Sequence, residues 1–381
     1  MFGFYIFGMS DMQDMIPILL TSLKRGKECW VCIFDTVLYK RQLYYYEPEE
    51  ITNFIKSICV ENELPIPRIN FYSVNAEARF KNDYQSISPK LVFIQNIVHK
   101  NISWYPTAKG AKVIHLAWHK DGARHAGHSS YNIFLNVLRK EYDLHYFGAH
   151  GIDKIPKWFR NRIGNLDQLL EQKSRYYGNF RLEQLSYKKV LSKFPSYESL
   201  VDKKICFIVE SHLRNDLIFR KNTGLFVDQL IDFLHENDYY VIWKTREKGW
   251  PKDKWCSPLD VATQMPDFII EKDLNFPTSL IHGPTIADVC LTINCTNAIF
   301  DLQEINHNSF ILSPAKLPEH EELIYQRRFK GQAERLQMLC NDDWKLFLKA
   351  IGQKPPKKIE IQTSTEKLLE DLEGDTFAEG D

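Results

Sequence analysis

A short polar run, Asn294-Cys295-Thr296-Asn297, follows an apolar stretch opened by Ala287 and Asp288 and precedes a helix-like stretch carrying Asp301. Small polar residues where a buried strand turns into a helix suit anion binding. The first N–H groups of the helix lack partners, and the positive end of its dipole faces the same way. The Thr296 hydroxyl adds a donor, and Asp301 could accept hydrogen bonds from a ribose. The plain alternative is N-capping by Asn294 or Thr296. Glu210-Ser211-His212-Leu213-Arg214-Asn215 closes another apolar run, and Ser211 and Arg214 have the chemistry for a phosphate. A solvated polar loop explains the same residues equally well. Lys244, Thr245 and Arg246 close a third run, and charges at the carboxyl ends of such strands face the binding crevice. His282-Gly283-Pro284 reads as a turn close to the same anion, whereas Lys248, Lys252 and Lys254 read as a solvated face.

His119 ends a further apolar run, Lys112 to Trp118. An imidazole with a pKa near 6.5 can take a proton from a hydroxyl at neutral pH when held within hydrogen-bond reach. A core histidine bonded to the backbone is the alternative. The stretch from Asp121 to His128 adds Arg124, His125 and two glycines, Gly122 and Gly127. Its spacing matches no zinc site, so no metal is expected, and the glycines suggest a mobile loop in which Asp121 or Arg124 could orient His119 or contact an acceptor. Cys29 and Cys32 have redox-motif spacing but fall in one strand, where an offset of three puts them on opposite faces. The eight cysteines are expected to be reduced.

The elements that must position these groups alternate. Strands are predicted at Phe2–Phe7, Cys29–Phe34, Arg68–Tyr72, Leu91–Ile94, Lys112–Ala117 and Asp143–Phe147, with helices at Asp11–Lys24, Glu47–Asn62 and Ser130–Leu138. After a stretch with little strand signal, strands return at Lys204–Val209, Tyr239–Lys244, Asp267–Ile270, Ala287–Ile293 and Ser309–Leu312. The helices between them are predicted at Gly224–Asn237, Pro277–His282 and Thr296–Glu304. Such alternation argues an α/β chain of two doubly wound parallel-sheet domains, with ligands at the carboxyl ends of the strands and in a cleft between domains. The expected divisions are an N-terminal domain over 1–155, a helical linker over 156–200, a second domain over 201–315, C-terminal helices over 316–362, and a disordered acidic tail over 363–381.

The chain has 381 residues, 49 basic and 49 acidic, with no net charge. That balance supplies no global field for nucleic acid or anionic lipid, so nucleic acid is not an expected partner. No apolar run reaches the length of a membrane helix, and no basic leader precedes the first apolar segment, so the expectation is a cytoplasmic protein. Neither a GxGxxG nor a GxxxxGK[ST] loop occurs, which argues against an ordinary dinucleotide enzyme or P-loop NTPase.

Four segments together carry a resemblance. Thr296-Asn297-Ala298-Ile299-Phe300-Asp301 is similar to the Ser-Ser-x-x-x-Asp segment of CDP-glycerol glycerophosphotransferases, with Asn294-Cys295 where that family has Asp-Tyr. The run ending in Trp118-His119 resembles its Trp-His-Gly strand, with Lys120 for the glycine. Lys244-Thr245-Arg246 resembles its Lys-x-His, with Arg246 for the histidine. The opening segment from Ile6 to Gly26 resembles the first strand and helix of GT-B nucleotide-sugar transferases of surface-polysaccharide synthesis.

The resemblance implies a GT-B transferase that needs no metal or other cofactor. It would move a sugar or polyol phosphate from a nucleotide-sugar or CDP-polyol donor to a hydroxyl of a glycan or lipid-linked acceptor, as in capsule or cell-envelope assembly. It implies catalysis by His119 and Asp121, with donor and phosphate contacts from Ser211, Arg214, Lys244, Arg246, His282, Asn294, Cys295, Thr296, Asn297 and Asp301. Peripheral association with the inner membrane face would follow from a lipid-linked acceptor. Alternatives of other classes are a nucleotide-sugar 2-epimerase, for which Asp35 and Asp121 are the available strand-end acids, and a non-catalytic GT-B-like binding protein.

Overall fold

The computed structural model describes residues 1–7, 9–34, 48–73, 76–95, 100–103, 105–117, 143–146, 174–177, 180–186, 200, 202–210, 213–214, 217–245, 255–270, 276–294, 296, 298–314, 322–323, 325–326, 329–331, 333–338, 343–351 and 364–377. The chain divides into two compact units, Met1–Lys188 with Ile361–Asp381, and Lys189–Glu360.

The first unit holds a seven-stranded sheet. Its strands are β1 (Phe2–Ile6), β2 (Cys29–Phe34), β3 (Arg68–Tyr72), β4 (Leu91–Ile94), β5 (Lys112–Ala117), β6 (Asp143–Tyr146) and β7 (Ser174–Tyr176), in the order β3-β2-β1-β4-β5-β6-β7. All six pairings are parallel. Central β2 and β4 are buried on both faces, which is why they read as unbroken apolar runs. Helix α1 (Met9–Lys24) buries Met12, Met15, Ile16, Leu19, Leu20 and Leu23. Helices α2 (Pro48–Glu61) and α3 (Glu77–Ile87) follow β2 and β3, and short α4 (Lys100–Ser103) and α5 (Tyr105–Ala108) follow β4. Phe80 from α3 packs against Tyr5, Trp30, Phe34 and Tyr72. Cys29 and Cys32 are buried free thiols, and burial pushes Cys29 up to about 12, which disfavours its thiolate.

The second unit repeats the plan with β8 (Lys204–Glu210), β10 (Tyr239–Lys244), β12 (Phe268–Ile270), β13 (Val289–Ile293), β14 (Ser309–Pro314) and β15 (Arg335–Met338). Their order is β12-β10-β8-β13-β14-β15, all parallel. Two residues each of β9 (Leu213–Arg214) and β11 (Trp255–Cys256) pair as a separate antiparallel ribbon. Helices α6 (Leu217–Glu236), α7 (Phe276–Ile286), α8 (Ala298–Ile305) and α9 (Asp343–Ile351) cover the sheet. One face packs Ile208, Trp243, Leu291 and Leu312 against Leu230 and Ile231 of α6 and Phe347 of α9. The other packs Phe207, Ile242 and Cys290 against Leu280 of α7 and Leu302 of α8. Gly283 lets α7 lie directly on the Phe207 ring, where a Cβ would collide.

Three expected divisions are corrected. The range 156–200, read as a helical linker, contains β7, which joins the first sheet, and a 3-10 turn at Phe180–Ser186. The range 316–362, read as helices, contains β15, whose Arg335 and Gln337 hide any strand signal. The acidic end, read as a disordered tail, is helix α10 (Ser364–Phe377) within the first unit. Its Leu368, Leu369 and Leu372 form a buried stripe, and its Glu366, Glu370 and Glu373 all pair with Arg25. Composition registered the charge and missed the stripe. Helix α3 was missed as well. The predicted helix Ser130–Leu138 lies outside the described residues.

Candidate functional site

In a doubly wound sheet the crevice opens where consecutive connections leave in opposite directions. In the second sheet that point lies between β8 and β13, with Glu210 opposite Ile293. Four strand ends meet there: Lys244 of β10, Glu210 of β8, Ile293 of β13 and Pro314 of β14.

Asn294 is the first residue beyond β13. Its N–H donates to the Leu312 carbonyl at 2.9 Å, which extends the ladder by one step. Its φ of 60° then turns the chain out of the sheet, a left-handed conformation that asparagine tolerates better than most residues. Thr292 Oγ1 donates to the Asn294 carbonyl at 3.2 Å and braces the bend. Asn294 is 3% exposed, and its Oδ1 has no hydrogen-bond partner. A buried polar atom in that state costs roughly 1–3 kcal/mol. Thr296 is buried, and its carbonyl accepts from Ile299 N–H, so α8 starts directly after the polar run. Asp301 is buried in the first turn of α8. Asn294, Thr296 and Asp301 are therefore gathered at one strand-to-helix junction. Cys295 and Asn297 lie outside the described residues.

Lys244 is 1% exposed, so it is no surface charge, and its Nζ donates to the Thr245 carbonyl at 2.9 Å. Thr245 is fixed in turn by N–H and hydroxyl donation to the Ile270 carbonyl. Arg214 sits in the ribbon opposite Trp255. Ser211 and Arg246 lie outside the described residues. The expected turn at His282 is corrected: this residue lies inside α7, about 9 Å of helix rise from its first residue. Burial holds His282 below the ordinary imidazole range, and its Nε2 has no hydrogen-bond partner. The helix continues through Pro284, whose carbonyl accepts from Asn306 Nδ2 at 3.2 Å.

Glu210 was quoted in the sequence without a role. It is 1% exposed at the switch point, and its Oε2 accepts from Trp243 Nε1 at 2.9 Å and Ser257 Oγ at 2.5 Å. The sequence signal was a carboxylate ending a wholly apolar strand. Ser257 and Trp243 carried no signal of their own.

In the first sheet the switch point lies between β1 and β4. Gln95, just past β4, donates to Asp14 Oδ2 at 2.8 Å, and Arg181 donates to both Asp14 oxygens at 2.8 and 3.2 Å. Asp11, where the sequence places the start of a helix, is buried in the first turn of α1 and accepts the Phe7 N–H at 2.6 Å. β5 ends at Ala117, and His119 and Asp121 lie beyond it, outside the described residues. Among the described residues no cluster of His, Cys, Asp and Glu could hold a metal ion, and no helix is long and apolar enough to cross a membrane.

No protein-family model matches this chain, and no curated protein matches it. Solved structures match over nearly its whole length. A putative UDP-N-acetylglucosamine 2-epimerase from Listeria monocytogenes is 11% identical with a TM-score of 0.56, covering 100% of this chain and 97% of that one. A UDP-GlcNAc 2-epimerase from Neisseria meningitidis, bound to UDP-GlcNAc, is 13% identical with a TM-score of 0.56, covering 98% and 99%. Arabidopsis thaliana UGT89C1, complexed with UDP, is 9% identical with a TM-score of 0.54, covering 97% and 93%. Identities this low speak for the fold, and with the two parallel sheets they make it a GT-B fold.

Proposed function

We propose that this chain is a GT-B enzyme acting on a nucleotide-activated sugar, and that it transfers the sugar, or a polyol phosphate, to an acceptor hydroxyl. The observation that carries the reading is the junction at Asn294–Thr296. A buried, unpartnered side-chain oxygen sits at a switch point beside the start of α8. The UDP and UDP-GlcNAc in the related structures support a nucleoside diphosphate as the anion held there.

In this reading the second unit holds the donor. N–H groups at the start of α8 and the Thr296 hydroxyl meet the diphosphate, with Arg214 and Arg246 as positioned cations in place of a metal ion. His119, from the first unit, takes the proton as the acceptor oxygen bonds to the donor carbon. The carbon–oxygen bond to the diphosphate breaks, and the leaving group keeps the electron pair. For a polyol phosphate the acceptor oxygen instead bonds to phosphorus, and CMP leaves. The motif likeness to CDP-glycerol transferases supports a cell-envelope or capsule glycan, lipid-linked or free, as acceptor at the cytoplasmic membrane face. No other cofactor is required.

The 2-epimerase reading is favoured by two of the structures just described. The strand-end acids that reading would use, Asp35 and Asp121, lie outside the described residues, while Asp11 and Asp14 are held by Phe7 N–H and by Arg181 and Gln95. Calorimetric titration with UDP, CDP and CMP tests the shared premise, with micromolar binding of at least one expected. Absence of binding by all three overturns it. Transfer assays with a panel of nucleotide sugars and CDP-polyols then separate the reactions.

A further inference from the structure

The loops after β8 and β10 read as independent in the sequence, yet the fold stitches them together. In the β9–β11 ribbon Arg214 lies opposite Trp255, and Leu213 opposite Cys256. A ribbon of two residues per strand has no stability of its own, so its place is set by what holds its ends. Both ends run to one hydrogen bond. Glu210 ends the strand that leads into β9, and Ser257 directly follows β11, with Ser257 Oγ donating to Glu210 Oε2 at 2.5 Å. The same oxygen accepts from Trp243 Nε1 at 2.9 Å, which ties the knot to the sheet. Glu210 is 1% exposed, and a carboxylate this dry is retained only where donors hold it. Ser257 is anchored again as the cap of the 3-10 turn Pro258–Val261, accepting from Leu259 N–H at 3.1 Å while Asp260 Oδ2 accepts its own N–H at 2.9 Å. That turn packs on α6 at Gly224, where a Cβ would collide with the Val261 carbonyl. Glu210 thus stands three residues before β9 and Ser257 one residue after β11, and their bond ties the two strands of the ribbon to the sheet.

We propose that Glu210 and Ser257 are positioning residues that hold the backbone of the β9–β11 ribbon, and with it Arg214, at the carboxyl edge of the second sheet, where the donor reading puts a nucleoside diphosphate. The inference rests on the nucleotide reading above. Ser257→Gly is the informative change, because glycine remains an adequate cap while the bond to Glu210 is lost. Ser257→Thr keeps the hydroxyl and is the conservative rescue. UDP is titrated calorimetrically into the full chain and into Ser257→Gly, Ser257→Thr, Arg214→Ala and the Ser257→Gly/Arg214→Ala double variant. Amide exchange is followed at Leu213, Arg214 and Trp255.

Ser257→Gly should weaken UDP binding by about 5–10-fold and speed ribbon exchange, with Ser257→Thr close to the parent in both. In the double variant the effects should not multiply: its affinity should match Arg214→Ala within about twofold. If Ser257→Gly does not fold, Glu210→Gln, which keeps the cap and the side-chain shape and gives up the charge of that bond, is used in the same cycle. A parent that binds UDP while the two substitutions act multiplicatively, or while Ser257→Gly binds like the parent, overturns this inference alone. A parent that binds no nucleotide overturns the donor reading, and this inference falls with it.

Discussion

At Asn294 backbone and side chain make separable demands. The φ of 60° is inexpensive for asparagine or glycine and costs roughly 1–2 kcal/mol for most other residues. Asn294→Gly should therefore keep the melting temperature within about 2 °C of the parent, while Asn294→Val lowers it by several degrees. If the buried Oδ1 serves the ligand, Asn294→Gly still loses nucleotide affinity, and a paired melting and binding measurement shows both outcomes. Thr296→Ala and Asn297→Ala should each weaken nucleotide binding by roughly 1.5–3 kcal/mol, the worth of one charge-assisted hydrogen bond. Unchanged affinity in both would remove the junction as a donor site. His119→Ala should cut single-turnover rate by on the order of 10²–10⁴ with donor affinity nearly unchanged. A rate within threefold of the parent would remove His119 from the mechanism.

Helix α10 is attached to the first unit by an apolar stripe, a surface ion-pair cluster and a buried polar knot. The knot centres on Thr365, fully buried, whose hydroxyl meets Thr21 Oγ1 at 2.8 Å and Glu183 Oε2. Its N–H donates to Glu183 Oε1 at 2.7 Å. Arg25 is part-buried and serves three glutamates as one network, so Arg25→Ala should cost more than the loss of a lone surface pair, about 1–2 kcal/mol. Thr365→Val removes a buried partner and should cost about 1–3 kcal/mol. Desolvation holds the Glu183 carboxyl above its ordinary range, against the pull of the Thr365 and Ser364 hydrogen bonds. The folded state then binds more protons than the unfolded one, so this group's contribution falls as pH rises from the ordinary carboxylate pKa through the raised one. Glu183→Gln should match the parent's stability below about pH 4 and exceed it increasingly towards neutral pH. Melting curves across that range check the sign.

Over the whole molecule, two sheets share the order 3-2-1-4-5-6, and opposite edges of the second sheet do different work. At its amino edge carboxylates hold strands in place: Asp288 accepts Ile205 N–H and Asp267 accepts Val241 N–H, both at 2.7 Å. At its carboxyl edge lie Lys244, Glu210 and the Asn294 bend. Turnover in deuterium oxide separates the two readings. With UDP-GlcNAc alone, a 2-epimerase exchanges the C2 proton and accumulates deuterium there, whereas the proposed transferase leaves C2 unlabelled. On the proposed transferase reading, in which cations of the protein stand in for a metal ion, a chelator should leave transfer unchanged; loss of turnover with EDTA would contradict that.

Periodicity was enough to place β2 and β4 to the residue, because strands buried on both faces are spelled as apolar runs between polar breaks. It also located the strand-to-helix junction at Asn294–Thr296, whose small polar residues contrast with the runs around them. Elements whose identity depends on a partner were invisible. β15 is a strand because β14 offers it an edge, and α10 is ordered because Arg25, Thr21 and Glu183 wait for it. The turn expected at His282-Gly283-Pro284 became helix because Gly283 fits against Phe207, a contact between residues far apart in the chain. Glu210, Trp243 and Ser257 stand apart in sequence and share one oxygen atom in the fold. Local pattern thus determined which segments are strands and helices and where the polar junction falls, since those follow from backbone periodicity and burial. Which distant side chains complete a buried polar group was decided only by tertiary packing, because desolvation acts on neighbours in space.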